Sequence, residues 1–213
     1  MKYFDDVIAS GIFKGIKQSN CEDAYSQLKI HARSYRKSEV IFLEGDVIDG
    51  LCIIRSGSVR AEKAYPNGEV HILDVYEEGS VFALEISASR KKTAAIDFIS
   101  NEDSTIVYVS MHSIEQSSYS GEIATVLTHM LADDNIRMGN KVEILAERVL
   151  RDRIMVYLRI LQAKSGTDTV NINMNREQMA AFLCVNRSAL SNELSKMKRE
   201  GIIDMKGKKI ILK

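Results

Sequence analysis

The hydrophobic pattern of this chain changes period near Ser110, and that change limits the folds open to it. From Val40 to Ser110 the apolar residues come in short β-branched or aromatic runs: VIFL, LCII, SVRAEKAY, VHILDVY, SVFAL, TAAIDFI and STIVYVS. Gly45, Gly50, Gly57, Gly68 and Gly79 punctuate them. Seven or eight short strands at this spacing predict a barrel or jelly roll. Tyr65-Pro66-Asn67-Gly68, which holds the only proline, is a turn signal between two of them. From Ser110 to about Lys164 there is no proline, and Ile114, Ile123, Val126, Leu127, Met130, Leu131, Met138, Val142, Leu145 and Val149 recur at helical spacing. One long helix and then another are expected there. Residues 1 to 36 read as mixed helix, with Phe4, Val7, Ile8, Tyr25, Leu28 and Ile30 as apolar positions.

The last third carries the most chemistry. In Arg176 to Leu183, Met179, Ala180 and Leu183 share one helical face, and Ala180 is small enough to let a second helix cross closely. Cys184-Val185-Asn186 breaks the period, and Asn186 suits the N-cap of a helix starting at Arg187. That helix should bury Leu190, Leu194 and Met197 and present Arg187, Ser188, Ser191, Asn192, Lys196 and Arg199. A face of donors and cations with no large apolar group can enter a DNA major groove. The same pattern also describes a plain helical hairpin with a solvated face. The residues after the second helix favour DNA: Gly201 ends the helix, Ile202-Ile203 is a short strand, and Met205 to Leu212 reads as a basic hairpin turning at Gly207. The candidate DNA contacts are Arg187, Ser188, Ser191, Asn192 and Lys196, with Arg176 and Lys208.

Charge is divided along the chain. The 213 residues balance 29 Lys+Arg against 29 Asp+Glu. Residues 1–147 carry 15 and 23 of these, about −8, and residues 148–213 carry the other 14 and 6, about +8. A basic C-terminal third suits a phosphate backbone, whose neutralisation supplies most sequence-independent DNA affinity. No apolar run is long enough to span a membrane, and MKYFDDVIAS lacks the regions of a signal peptide, so a cytoplasmic protein without a membrane partner is expected. Cys21, Cys52 and Cys184 are widely spaced and suit a reducing compartment. With His31, His71, His112 and His129 they form no compact metal motif, so no cofactor is assigned.

In order, barrel, long helix and winged helix-turn-helix, the chain resembles the cyclic AMP receptor protein and FNR family of bacterial transcription regulators. The carriers are Val40-Ile41-Phe42-Leu43-Glu44-Gly45-Asp46, Leu51 to Val59, the Gly79 turn, and Val185-Asn186-Arg187-Ser188-Ala189-Leu190-Ser191. The resemblance implies an α+β fold: a cyclic-nucleotide-binding-like β jelly roll over residues 1–112, a dimerisation helix over 113–147, and a winged helix-turn-helix over 148–213. It implies a homodimer on palindromic double-stranded DNA, with RNA polymerase as a further contact and a small-molecule effector in the barrel. Base-reading positions fall on Arg187, Ser188, Ser191 and Asn192. Ser188 stands where the family has glutamate and Asn192 where it has arginine, so the preferred half-site should differ from the family's commonest one.

The effector cassette departs further. The family's glycine-glutamate falls on Ala83-Leu84, with Glu85 one residue on, and its arginine-serine or arginine-threonine falls on Lys92-Thr93. The purine-contacting pair falls near Met138-Gly139. Leucine cannot accept from a ribose hydroxyl, and lysine supplies a point charge in place of a guanidinium fork. Ala83, Leu84, Glu85, Lys92, Thr93 and Met138 are therefore the candidate effector residues, and cyclic AMP is disfavoured. The Arg90-Lys91-Lys92 run admits another anion. A switch is expected at the helix joint, Ala146 to Arg151. The rival readings are a constitutive regulator with a ligand-free barrel and a cupin-like barrel enzyme. The enzyme would need clustered His and Glu ligands that the sequence lacks.

Overall fold

The computed structural model describes residues 2–213. The chain forms two compact units. The first comprises the residues up to Ala64 with Leu73–Asp134, and the second comprises Tyr65–Ile72 with Asn135–Lys213.

In the first unit two short helices, α1 (Phe4–Ala9) and α2 (Cys21–Ser26), precede eight strands. These are β1 (Ile30–Tyr35), β2 (Val40–Phe42), β3 (Gly50–Ser56), β4 (Ser58–Ala64), β5 (Val70–Glu77), β6 (Val81–Phe82), β7 (Asp97–Ser100) and β8 (Ser104–Ser110), with α3 (Leu84–Ser87) between β6 and β7. They build two four-stranded sheets, ordered β1-β8-β3-β6 and β2-β7-β4-β5. The unbroken apolar run of β3 has a simple cause: its sheet is covered on both faces. Cys52 and Ile54 point between the sheets with Phe82, Phe98 and Ile106. Leu51 and Ile53 join Val107 and Val109 against Val7, Ile12, Phe13 and Ile123. The β3–β4 turn requires glycine, because Gly57 has φ +84° and an added Cβ would lie 2.7 Å from the Asp103 carbonyl oxygen. The Pro66 turn closes as a hairpin with Gly68 N donating to Tyr65 O and Tyr65 N to Glu69 O, both at 2.9 Å.

Four expectations from the sequence are corrected by the structure. Residues 30–35, read as helix, are strand β1, paired along its length with β8; they carry no clear period-two pattern because only Tyr35 is buried and both faces hold exposed or half-buried residues. Ile8 is exposed, and Ile12, Phe13 and Ile16 supply the N-terminal core instead. The SVFAL and TAAIDFI runs keep only their strand-paired portions, β6 and β7, because each is interrupted by a left-handed residue, Ala83 (φ +56°) and Lys92 (φ +52°), in or beside the run. The long helix does not begin at residue 113. A short helix α4 (Met111–Gln116) comes first, and Ser117 in extended conformation separates it from α5 (Ser120–Ala146).

After α5 the second unit continues with α6 (Leu150–Ser165), β9 (Thr169–Asn171), α7 (Arg176–Phe182), α8 (Arg187–Arg199), β10 (Ile203–Lys206) and β11 (Lys209–Leu212). The strands form a sheet ordered β10-β11-β9. Ile154, Tyr157, Leu158, Val170, Met179, Leu183, Leu190, Leu194, Met197, Ile203 and Ile210 are buried there. Strand β9 is not expected from the sequence, because its three residues are too few for a periodic signal.

Candidate nucleic-acid interface

The path of α7 into α8 is fixed at every backbone terminus. Asn175 caps α7 in a capping box: its Oδ1 accepts from Gln178 N and its own N donates to Gln178 Oε1, both at 2.9 Å. At the other end Val185 N donates to Ala180 O at 3.0 Å, with Cys184 left-handed at φ +53°. That is the bonding of a glycine-type helix stop made without glycine, which costs about 1 kcal/mol in backbone strain. The orphan carbonyls at this end are met by cations from elsewhere in the unit. Lys141 Nζ, on α5, donates to Phe182 O and, at 3.1 Å, to Ile72 O, and it lies over the Phe182 ring. Arg153, on α6, donates to Leu183 O and to Glu147 O, both at 2.8 Å. Cations at a helix C-terminus complement its dipole as well as its unpaired carbonyls.

Helix α8 begins on Asn186, whose Oδ1 accepts from Ala189 N at 2.7 Å. It ends as Ile202 N donates to Met197 O and Gly201 N to Lys198 O, with Gly201 at φ +74°. Arg151 fastens α8 to α6, donating from Nε to Glu193 and from Nη1 to Glu200, each at 2.6 Å. These contacts raise the Arg151 pKa and hold the Glu200 carboxyl below its ordinary range. The helix is therefore oriented from its buried side. On the opposite side Arg187, Ser188, Asn192 and Lys196 are exposed and Ser191 half-buried.

The site residues expected from the sequence are not equivalent in the structure. The side chains of Arg187 and Asn192 make no hydrogen bond among the described residues, whereas the Ser188 hydroxyl donates back to the Asn186 cap at 2.9 Å. Lys208 lies exposed in the turn between β10 and β11, flanked by exposed Lys206 and Lys209. Arg176 is half-buried, with its guanidinium 3.7 Å from Met179 Sδ and 3.2 Å from Met205 Sδ, and desolvation lowers its pKa. It stands at the first position of α7. Lys198 is committed to the wing, paired with Asp204 at 2.9 Å.

In the first unit Ala83 and Leu84 are buried, and Glu85 and Thr93 are exposed. Lys92 is half-buried, and its backbone N donates to Ser89 Oγ at 3.0 Å. Ala83 keeps the left-handed conformation that glycine favours, while Leu84 turns into the apolar core. Met138 is exposed on the part of α5 that belongs to the second unit. Among the described residues no group of three or more His, Cys, Asp or Glu could hold a metal ion, and no helix is long and apolar enough to cross a membrane.

A cyclic nucleotide-binding domain model matches residues 32–117, and a Crp-like helix-turn-helix domain model matches residues 152–213. The chain belongs to the Crp/Fnr family. It is a DNA-binding transcription regulator by family. A CRP-like cAMP-activated global transcriptional regulator of Mycobacterium tuberculosis is 24% identical over 218 residues, covering 98% of this chain and 95% of its own. FixK2 from Bradyrhizobium japonicum superposes with a TM-score of 0.71 at 21% identity, over 87% of this chain and 93% of that one. The c-di-GMP responsive global regulator CLP of Xanthomonas campestris superposes at 0.70 with 18% identity, over 92% and 99%. Crp/Fnr relatives are transcription regulators rather than enzymes, and the expected α+β architecture is the one they share.

The residues that sequence reasoning missed are Lys141, Arg151, Arg153 and Asn175. Lys141 had one signal: it stands in helical register with buried Ile144, a charge on an apolar face. Arg151 had none, because Glu193 and Glu200 are remote in sequence, and the bond from Arg153 to Leu183 O, 30 residues on, had none either.

Proposed function

We propose that this Crp/Fnr protein is a cytoplasmic homodimer that binds two-fold symmetric promoter DNA and is not an enzyme. The observation that carries the DNA part is the exposed face of α8, where Arg187 and Asn192 keep every donor unspent. Arg187 would read guanine and Asn192 adenine through bidentate bonds, with Ser191 beside them. Lys196, Lys208 and the Arg176 end of α7 would meet phosphates. Residues 1–112 would serve as sensor, 113–147 as dimerisation segment and 148–213 as reader, with RNA polymerase engaged at the bound promoter.

Dimerisation through α5 is supported by its solvent face. Gly121, Thr125, Thr128, Ala132, Asn135, Gly139, Val142 and Ala146 are exposed and alternate at four and three residues. This is the spacing of a two-helix seam, and small residues let the two backbones approach. Ile136 and Val142, 64% and 66% exposed, would be covered by the partner helix. An effector at the Ala83–Thr93 segment would be an anion other than cyclic AMP. The burial of Leu84 favours a second reading, a constitutive regulator in which that segment holds nothing.

The test is a salt titration of binding to a palindromic promoter fragment. The log of affinity should fall linearly with log salt, at a slope near −0.9 per phosphate neutralised. A flat dependence refutes phosphate docking. In parallel, Gly139→Leu should give a folded monomer in sedimentation, because an added Cβ there meets nothing within 4 Å in its own chain. A dimer of undiminished affinity refutes the α5 seam.

A further inference from the structure

The first unit holds a cavity of about 340 Å³ that borders the Ala83–Thr93 segment through backbone pairing, Ile48 N donating to Lys92 O at 2.8 Å and Val47 bridging Thr93, without taking a side chain from it. Its walls include His31, Arg33 and Tyr35 of β1, Phe42 of β2, Cys52 of β3 and Tyr108 of β8, and none of the six effector candidates lines it. The volume falls at the small end of the range for small-molecule sites.

Three donors converge on it for a reason of register. His31, Arg33 and Tyr35 alternate along β1 and so share one face, and His31 stands opposite Tyr108 across the β1–β8 ladder. The His31 and Tyr108 rings stack with centroids 4.9 Å apart and 11° between planes. The Arg33 guanidinium lies over the Tyr35 ring at 4.8 Å and is 3.6 Å from Glu39 at the exposed edge. Tyr35 and Tyr108 share one hydrogen bond, oxygen to oxygen at 2.5 Å. Two hydroxyls bring two donor hydrogens, and one bond between them uses one. No other side-chain partner meets either hydroxyl among the described residues, so the second hydrogen has the cavity as its outlet. Cys52, fully buried, faces the same space, and its thiol is pushed far above the usual range by desolvation. It contributes an apolar wall rather than a nucleophile. Asp49 also lines the cavity, and its carboxylate restricts where a negative charge can sit to the Arg33 side.

We propose that this cavity binds a small organic carboxylate with an aromatic or apolar body, its carboxylate at Arg33 and the Tyr35–Tyr108 hydroxyl pair, its body against Phe42, Ile48 and Cys52. Guanidinium and hydroxyl donors suit a carboxylate through charge-assisted bonds, and the aromatic walls suit a ring. The site stands independently of the DNA-binding reading.

The experiment is calorimetric titration of the full-length protein with 3-phenylpropionate, its uncharged amide and acetate. Saturable binding of 3-phenylpropionate is expected, with the amide and acetate each at least about tenfold weaker, since one lacks the charge and the other the apolar body. Arg33→Gln and Tyr108→Phe should each weaken 3-phenylpropionate about tenfold while leaving thermal unfolding of the free protein close to wild type. Arg33 is largely exposed, so its loss leaves the core intact. No saturation at millimolar ligand overturns the proposal. So does binding that neither substitution changes, because the ligand would then sit elsewhere.

Discussion

Lys141→Met separates two effects that meet at one atom. The ammonium is buried on α5, donates to Phe182 O and Ile72 O, and lies 3.1 Å from the centroid of the Phe182 ring. Each bond from a charged donor contributes roughly 1.5–3 kcal/mol, and the ring contact about 1–2. Opposing them is the desolvation of the ammonium, several kcal/mol. Methionine keeps the length of the stem and removes both sides of that balance. What it leaves is two carbonyls deprived of their cationic donor, at about 1–3 kcal/mol each when buried and unsatisfied. One of them, Phe182 O, belongs to the last turn of α7 and has no helical partner ahead of it. The net expectation is a loss of roughly 2–4 kcal/mol in the second unit. With a urea slope of about 1–3 kcal/mol per molar, the denaturation midpoint should fall by ~1–2 M. Far-ultraviolet circular dichroism is the appropriate signal, because α6, α7 and α8 all lie in that unit. DNA affinity at fixed salt should fall too, since Phe182 leads into the turn that aims α8. An unchanged or raised midpoint would refute the reasoning, by showing that relief of desolvation outweighs the lost bonds.

Asn186→Ala removes the acceptor for Ala189 N and should cost about 1 kcal/mol in thermal unfolding, with Asn186→Asp close to wild type. Asn192→Ala should relax base preference at one position of a selected binding site at a cost of ~1–3 kcal/mol, while Lys208→Ala should weaken all sequences alike and lower the salt slope by about 1. Glu200 ionises more readily in the folded protein because Arg151 is beside it, so its contribution is present above the ordinary carboxyl value of 4.5 and is lost as pH falls through the lower folded value. The melting temperature of Glu200→Gln should thus lie below wild type at neutral pH and converge with it on acidification. Parallel curves at every pH would show that the ion pair contributes nothing.

Most of the architecture was legible in the chain. The change from β-branched runs to helical spacing near Ser110 reports which backbone period buries an apolar face, and that is a local property. The caps and stops of α8 were equally plain, because Asn186 and Gly201 act on backbone groups within their own turn. Strand β1 was misread because its partner β8 is remote in sequence and only pairing made its exposed positions tolerable. The stripe on α5 was visible as a stripe, yet its division was not: Ile123 and Leu127 are buried while Met138 and Val142 are exposed.

The amino-acid order alone determined the two kinds of domain, the order of their elements and the exposed residues of the reader helix. Each of these follows from neighbours within a few residues. Tertiary structure decided the rest. It brought Lys141 and Arg153 to the carbonyls at the end of α7, set Arg151 between Glu193 and Glu200, and turned Arg176 onto two methionines. It also placed Arg33, Tyr35 and Tyr108 around one cavity. Most of those partners are separated by tens of residues, and no local period encodes a contact that exists only when two elements cross.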